Sequence, residues 1–416
     1  MLDLPFVRSQ FPAFSEPSLQ GWGFFENAGG SYTCQQVITR LTDYYTKTKV
    51  QPYGPYPAAQ AAGAAMDAAY SRLAAYLNVG ADEINFGPST SQNTYVLAHA
   101  MRGMWQEGDE IIVSTQDHEA NAGAWRRLAQ TGIVVKEWHV DSHTGRLNPD
   151  DLDGMLTDKT RLLAFPHCSN VVAHVNPVAE IAAKGKAAGA IVLTDGVAYA
   201  PHGLPDVDAL GVDIYLFSLY KTWGPHLGLM VVRRDLQEKL VNQGHYFNEG
   251  LAHYTLTPAG PDHAQIAAAA GIADYLDVIY AHHFSESVDA AERGRRVHDL
   301  FAAHEKQLLV PLLGWLRNRD DVRIVGPDDA ELRTPTVAII PKNKSIDEML
   351  PVLVEHKLMV GNGHFYAVRP LMDMNIPLET GVLRLSFLHY TNQQEIDQLI
   401  GGLGAALGGH KARAIA

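Results

Sequence analysis

The stretch Asp213–Gly228 constrains this chain more than any other part of it. It begins with an apolar run, Ile214–Phe217, which predicts a buried strand. Lys221 follows closely, and Gly224 and Pro225 then predict a tight loop instead of a helix. Desolvation at the end of a buried strand lowers the pKa of an amine, which is what a Schiff-base lysine requires. A lone lysine there is more commonly a surface residue, so a second feature is needed.

That second feature lies upstream, where the apolar run Ala190–Leu193 ends at Thr194, Asp195 and Gly196. Asp195 and Lys221 therefore each come after a predicted buried strand. In an open α/β sheet the carboxyl ends of the strands form the ligand crevice. An amine and a carboxylate in one crevice suit pyridoxal phosphate (PLP), because the amine forms an imine and the carboxylate keeps the pyridine nitrogen protonated.

Strands alternate with helical segments from about Glu83 to Val232, which predicts an α/β unit with a mostly parallel sheet. A long charged helix then starts near Phe284, and further strand patterns follow at Thr336–Ile340 and Val382–Phe387. A chain of 416 residues is long enough for two domains. We predict a large domain over residues 21–283, a smaller α/β C-terminal domain over 284–416, and an N-terminal segment, 1–20, that packs with the small domain.

Composition narrows the classes of partner. The chain has 33 Lys and Arg against 46 Asp and Glu, a net charge of −13, without a basic cluster, which argues against nucleic acid and anionic membranes. Its two isolated cysteines, Cys34 and Cys168, fit a reducing compartment better than a disulfide framework. The sequence carries no signal-peptide pattern and no apolar run long enough to span a membrane. We therefore expect a cytoplasmic protein, and we expect no metal site.

Hydroxyl residues precede one of the predicted helices. Glu83–Gly87 reads as a strand, Thr90 and Ser91 follow it, and Tyr95–Gln106 is a helical run. Such hydroxyl residues are by default N-caps. The same geometry also presents backbone N–H groups and hydroxyls to a phosphate, although this pattern is weak by itself.

Three motifs occur in one order along the chain: Asp117-His118-Glu119-Ala120-Asn121, Asp195-Gly196 and Ser218-Leu219-Tyr220-Lys221. Together they resemble the cysteine desulfurase-like branch of the class V aminotransferases, which are fold type I PLP-dependent enzymes. The resemblance covers nearly the whole chain. It implies a fold type I transferase architecture, PLP as the cofactor, and a homodimer with shared active sites.

The resemblance also implies roles for the residues that chemistry suggested. Lys221 holds the cofactor, is released when the substrate amine forms the external aldimine, and then moves the Cα proton. Asp195 pairs with the pyridinium nitrogen, and His118 stacks on the ring face. Without its neighbours, His118 would be read as an ordinary histidine at a helix start.

Further residues are expected around the cofactor. By resemblance, Thr90, Ser91 and Ser218 hold the phosphate, and Asn170 faces the phenolic oxygen of the ring. Tyr220 stands where the family has a histidine next to the lysine. His263 falls near the place where the partner subunit of the family reaches the phosphate.

The substrate side is predicted in the same way. Arg384 matches the arginine that receives the α-carboxylate, a task that suits a bidentate guanidinium, although a solvated strand arginine is the alternative reading. His364, Tyr366 and Asn27 are expected to contact the substrate. His364 and Tyr366 could act as acid groups or only shape the site.

The sequence departs from the desulfurases at the loop Val360–Ala367, which has no cysteine. Persulfide formation needs a thiolate placed to attack the substrate sulfur. Tyr220 and Ala198 replace a histidine and a glutamine of the family. The resemblance therefore does not decide which residue contacts the phenolic oxygen of the ring.

We therefore expect a PLP-dependent lyase or transferase that binds a small amino acid and deprotonates Cα. Our first interpretation is β-elimination, possibly of a C–S bond. The alternatives are an aminotransferase, an epimerase, a cysteine desulfurase that uses Cys168 or Cys34, and a non-catalytic protein on a PLP fold, since fold alone does not guarantee activity.

Overall fold

The computed structural model describes residues 1–408 and contains three sheets. The strands are β1 (Gly23–Phe24), β2 (Ile84–Gly87), β3 (Glu110–Ser114), β4 (Val134–Trp138), β5 (Thr160–Pro166), β6 (Ile191–Asp195), β7 (Ile214–Ser218), β8 (Gly228–Val232), β9 (Val322–Val325), β10 (Thr336–Pro341), β11 (Leu358–Met359), β12 (Gly361–Gly363) and β13 (Val382–Ser386).

Helices surround the sheets on most sides. They are α1 (Leu4–Ser9), α2 (Gln35–Lys47), α3 (Pro57–Leu77), α4 (Thr90–Arg102), α5 (Glu119–Arg127), α6 (Leu152–Met155), α7 (Val178–Ala187), α8 (Val207–Leu210), α9 (Arg234–Gln237), α10 (His263–His283), α11 (Ala290–Arg317), α12 (Ile346–Glu355), α13 (Val368–Asp373) and α14 (Gln393–Leu407). Short 3-10 turns connect several of them. Among the helices of residues 1–408, none combines the length and apolar character needed to cross a membrane.

The largest sheet has seven strands in the order β2-β8-β7-β6-β5-β3-β4. Only β8 runs against the others, because it pairs antiparallel with both β7 and β2, whereas the remaining pairs are parallel. The predicted mostly parallel sheet is thus confirmed. The carboxyl ends of β3, β5, β6 and β7 lie at one edge, and β6 ends at Asp195 itself.

A second unit follows the large sheet. It contains an antiparallel sheet in the order β12-β13-β10-β9, against which α11, α12 and α14 contribute buried leucines and isoleucines. This is the smaller α/β unit predicted for the C-terminal part. Residues 409–416 of the predicted small domain lie outside the described residues.

The N-terminal segment joins the two units. Arg8 donates hydrogen bonds to the carbonyl of Tyr390 and to Glu395, both in the C-terminal part. Phe11 is buried against the rings of Tyr275 and Tyr390, so it also packs on α10. Because one hydrophobic cluster runs through this junction, the predicted domain limits stay a prediction.

Helix α4 begins earlier than predicted. The sequence suggested Tyr95–Gln106, but the helix spans Thr90–Arg102. The reason is the cap, because the Ser89 hydroxyl accepts the backbone N–H of Gln92 and fixes the first turn. The hydroxyl residues Thr90 and Ser91 therefore belong to the first turn of the helix.

Helix α10 packs closely against α2. Its buried face is rich in alanine, and at Gly271 the backbone approaches the backbone of Val37. A Cβ at position 271 would lie 2.5 Å from the Val37 nitrogen and 2.6 Å from its Cα. These backbone atoms cannot move aside without shifting a helix, so glycine is required there.

We predict that Gly271→Ala lowers the free energy of unfolding by about 1–3 kcal/mol, because the added methyl overpacks a backbone contact. The matched control is Gly314→Ala in α11, where a Cβ would meet nothing within 4 Å. There the change is expected to raise stability by up to about 1 kcal/mol through helix propensity. Urea unfolding measures both, and equal effects would contradict the packing argument.

Candidate active site

A cavity of about 570 Å³ lies at the carboxyl edge of the large sheet. It collects most of the residues predicted from the sequence to bind cofactor or substrate. Those that line it are Thr90, Ser91, His118, Asn170, Asp195, Ser218, Tyr220, Lys221, Tyr366 and Arg384. Side chains from both structural units thus meet around one space.

Lys221 reaches the cavity from the 3-10 turn Leu219–Lys221 directly after β7. Its ammonium nitrogen lies 5.7 Å from the centre of the Tyr220 ring. Burial, and then the nearby Arg384 charge, lower the pKa of the Lys221 amine from 10.5 to about 8. A substantial share of the amine is therefore neutral near physiological pH, as a nucleophilic lysine requires.

Asp195 lies at the end of β6 and accepts the backbone N–H of Val197 at 2.8 Å. Burial raises the pKa of its carboxyl to about 6, and the Val197 bond and the Lys221 charge oppose that rise. The second buried carboxyl, Asp117, is held by Ser114 and Asn121, and burial together with Asp195 raises its pKa to about 8. At neutral pH the negative charge therefore resides on Asp195.

His118 is held in a fixed orientation. It caps α5, and its Nδ1 accepts the backbone N–H of Ala120 at 2.9 Å. Burial, followed by the charges of Lys221 and Arg384, lowers the pKa of the imidazole to about 3. The ring is therefore neutral and can lie flat against an aromatic group without burying a charge.

Two hydroxyl groups lie side by side in the cavity lining. The Oγ1 of Thr90 and the Oγ of Ser218 lie 2.8 Å apart, at the N-terminus of α4. Gly228 permits this approach, because a Cβ there would stand 2.6 Å from the backbone nitrogen of Thr90. Two hydroxyls at a helix N-terminus form a suitable anion site.

Arg384 is buried at the cavity wall on β13. Its Nη2 donates to Oε1 of Glu26 at 2.7 Å, and its Nη1 donates to the carbonyl of Asn170 at 3.3 Å. The Phe365 ring covers the guanidinium, with the ring centre 3.7 Å from Cζ. The buried Nε has no hydrogen-bond partner among residues 1–408, so one N–H of the guanidinium is left unpaired.

Asn170 links this wall to the loop after β12. Its side-chain Nδ2 donates to the carbonyl of Phe365 at 3.0 Å. Its Oδ1 is buried and, within the described part of the chain, has no partner. A buried amide oxygen without a partner normally has a bound group or water nearby.

Three predicted residues lie outside the cavity lining. Asn27 is buried, donates to the carbonyls of Phe24 and Ser386, and accepts the hydroxyl of Tyr390. These bonds tie the N-terminal loop to the C-terminal unit, and the expected substrate contact of Asn27 stays a prediction.

His364 also does not line the cavity. Its Nδ1 accepts the backbone N–H of Tyr366 at 3.1 Å, which shapes the loop. The expected substrate contact of His364 stays a prediction, while Tyr366 lines the rim of the cavity with 65% of its surface exposed. His263 is the first residue of α10, and its role in the site of a partner subunit stays a prediction.

The sequence reasoning missed Glu26, Phe365 and the role of Asp117. Glu26 and Arg384 are 358 positions apart, and no local pattern pairs them. Asp117 was part of a recognised motif, but its pKa depends on packing against Asp195. The only sequence signal for Glu26 was its position between a short strand and the glycine pair Gly29-Gly30.

The cavity residues fit PLP on structural grounds. An amine of lowered pKa, a buried carboxylate, a neutral imidazole and a hydroxyl pair at a helix start surround one space. Within residues 1–408, the buried amide oxygen of Asn170 and the buried Nε of Arg384 both lack a partner, so the wall keeps hydrogen-bonding capacity. These are the groups that a phosphorylated pyridine aldehyde and a carboxylate require.

Neither cysteine is positioned as a nucleophile. Cys168 borders the cavity, but it is buried, and its sulfur contacts the carbonyl of Ala173 and the hydroxyl of Thr334. Burial raises the pKa of both Cys168 and Cys34 to about 12. Both thiols are therefore protonated and inert near neutral pH.

Comparison with known proteins identifies the family. The aminotransferase class-V family matches residues 23–399. This chain belongs to the class-V aminotransferase family. Members use PLP, so the protein is a PLP-dependent enzyme, and the cofactor predicted from Lys221 and Asp195 is confirmed at the level of the family.

Several relatives cover almost the whole chain. An aminotransferase-like protein, FGM3, of Gibberella zeae is 34% identical, over 96% of this chain and 98% of its own length. The cysteine desulfurase-like protein ustD of Aspergillus flavus is 29% identical, over 95% of this chain and 89% of its own length. A probable cysteine desulfurase of Streptomyces coelicolor is 27% identical, over 97% of both chains.

Solved structures confirm the fold. The apo cysteine desulfurase of Thermococcus onnurineus superposes with a TM-score of 0.84 at 22% identity and covers 98% of each chain. The cysteine desulfurase CsdA of Escherichia coli gives a TM-score of 0.81 at 22% identity, over 98% of this chain and 99% of its own. The class-V enzyme has the predicted fold type I architecture.

We predict that covalent attachment of added PLP speeds up as pH rises and levels off above about 8, because only the neutral form of Lys221 attacks the aldehyde. Stopped-flow absorbance of the cofactor-free enzyme measures this rate. Lys221→Ala is the control and should bind PLP without the visible band. A midpoint near the ordinary lysine value of 10.5 would contradict the desolvated environment.

Proposed function

We propose that this enzyme removes the Cα proton of a small amino acid and releases a substituent from Cβ, as a lyase. The observation that carries the proposal is the presence of Lys221 and Arg384 in one cavity that offers no activated thiol. The amine serves proton transfer, and the guanidinium serves carboxylate binding. Without a thiol to accept it, the departing group leaves as a free product.

Arg384 positions the substrate. A carboxylate that reaches the unpaired Nε–H of its guanidinium would receive a charge-assisted hydrogen bond, and Phe365 restricts the plane in which that N–H lies. This would hold Cα over the part of the cavity that Lys221 reaches. Because the two groups come from different structural units, binding the carboxylate also fixes the geometry of proton transfer.

Lys221 moves the proton. When the amine is not attached to the cofactor, its pKa of about 8 allows it to accept a proton near neutral pH and to release it again. PLP, when bound, supplies the electron sink that makes Cα acidic, and Asp195 maintains that sink through the ring nitrogen. His118 would fix the ring plane through its cap-held imidazole.

The proton and the electron pair released in the proposed elimination both have an acceptor. The Cα–H bond breaks and its proton goes to Lys221, while the bond from Cβ to the leaving group breaks and its electron pair departs with that group. The remaining unsaturated amino acid hydrolyses to pyruvate and ammonia when the substrate has three carbons. This outcome requires no group on the protein to accept the leaving substituent.

We expect release of pyruvate and ammonia in equal amounts from three-carbon amino acids with a β-leaving group, such as L-cysteine or β-chloro-L-alanine. Arg384→Ala should raise KM by at least about tenfold, since a buried charge-assisted contact is lost. The PLP band should be retained, because Arg384 lies on the substrate side. A coupled lactate dehydrogenase assay and ammonia determination measure both products.

Different products would contradict the proposal in different ways. Alanine from cysteine, together with a protein persulfide that an added dithiol reduces to sulfide, would indicate desulfuration, and Cys168→Ser would then test whether Cys168 is the thiol. A keto acid formed with stoichiometric conversion of PLP to the amine form would indicate an aminotransferase. Inversion at Cα without loss of any group would indicate an epimerase.

We further propose a cytoplasmic homodimer. Tyr246 and Phe247 expose 85% and 66% of their surfaces on the segment between α9 and α10, and large exposed aromatics favour a partner surface. His263 follows this segment and is placed by analogy near the phosphate of the partner subunit. Sedimentation of the holoenzyme tests the dimer, and PLP affinity of His263→Ala tests the shared site.

A further inference from the structure

Arg384, which we propose binds the substrate carboxylate, already contacts a carboxylate of the protein itself. Oε1 of Glu26 accepts a hydrogen bond from Nη2 of Arg384 at 2.7 Å, and both residues line the cavity. The second oxygen, Oε2, is buried and has no hydrogen-bond partner within residues 1–408. The positive charge of Arg384 is thus opposed before any substrate arrives.

The backbone is arranged to admit this carboxylate. A Cβ at Gly29 would lie 2.7 Å from Oε1 of Glu26, and a Cβ at Gly361 would lie 2.1 Å from Oε2. Gly361 is paired directly with Arg384 in the β12–β13 ladder. Two glycines therefore provide the space in which the carboxylate of Glu26 reaches the guanidinium.

The negative charge of Glu26 also affects the two cationic side chains of the cavity. It acts on Lys221, where it opposes the lowering of the amine pKa, and it stabilises the charge of Arg384. A second acidic side chain, Glu119, lies at the rim of the same cavity and makes no side-chain bond to Arg384. Within the described cavity lining, the only lysine and arginine, Lys221 and Arg384, already face carboxylates, so neither is left over for a second substrate carboxylate. The other basic side chains of the lining are the imidazoles of His118 and His226.

We infer that Glu26 is a specificity-determining residue that excludes amino acids with acidic side chains. The α-carboxylate of a substrate can use the unpaired Nε–H of Arg384, but a second carboxylate would lie beside Glu26 without a lysine or arginine of its own. Like charges placed together in a poorly hydrated site disfavour binding strongly. Amino acids with neutral or cationic side chains avoid this repulsion.

The inference rests on the proposed binding of an amino acid by Arg384, and isosteric ligands test it. L-Asparagine and L-aspartate have nearly the same shape and differ in charge, as do L-glutamine and L-glutamate. Equilibrium titration of the PLP absorbance in the holoenzyme gives the affinity for each. The variant Glu26→Gln keeps an oxygen that accepts from Arg384 while it removes the negative charge.

We expect the wild-type enzyme to bind each amide at least about tenfold more tightly than the matching acid, as expected for like charges at partial burial. In Glu26→Gln this ratio should fall to within about threefold, mainly because the acids bind more tightly. Glu119→Gln, a matched change at the rim, should shift the ratio much less. Retention of the PLP band shows that each variant is folded.

The outcomes separate the inference from the proposed function. Spectra that respond to the amino acids with a ratio unchanged by Glu26→Gln would overturn the inference alone. An equal shift in Glu119→Gln would also overturn it, because general cavity charge would then explain the selectivity. Spectra that respond neither to these four amino acids nor to β-chloro-L-alanine would overturn the proposed function together with the inference.

Discussion

The site depends on the desolvation of one amine. Lys221 follows the fully buried strand β7, and the surrounding protein destabilises its charged form enough to lower its pKa to about 8. Parallel strands place Asp195, at the end of β6, on the same edge of the sheet. The amine and the carboxylate are therefore neighbours because of sheet topology, and the cofactor chemistry of the class-V family follows from that placement.

Those parts of the structure that rest on local pattern could be predicted from the sequence. Apolar runs ending at polar residues located β6 and β7, and the alternation of strands and helices indicated a mostly parallel sheet. The start of α4 was placed too late, because the cap at Ser89 outweighs the apolar periodicity that begins at Tyr95. Local rules therefore found these elements but placed both ends of α4 several residues too late.

Contacts between distant parts of the chain could not be predicted in this way. Asn27 looked like a site residue beside a glycine loop, yet it bonds to Ser386 and Tyr390 in the C-terminal unit. Glu26, its neighbour, is the residue that reaches Arg384. Glu26 lines the cavity and its neighbour Asn27 does not, and this difference is set by contacts with the C-terminal unit.

The account requires that Lys221, and no other lysine, carries the cofactor. Reduction of the PLP-loaded enzyme with sodium borohydride, followed by proteolysis and mass spectrometry of the peptides, tests this most directly. The account predicts a single phosphopyridoxyl label on the peptide that contains Lys221. A label on a different lysine, or PLP that is released without any label under native conditions, would contradict it.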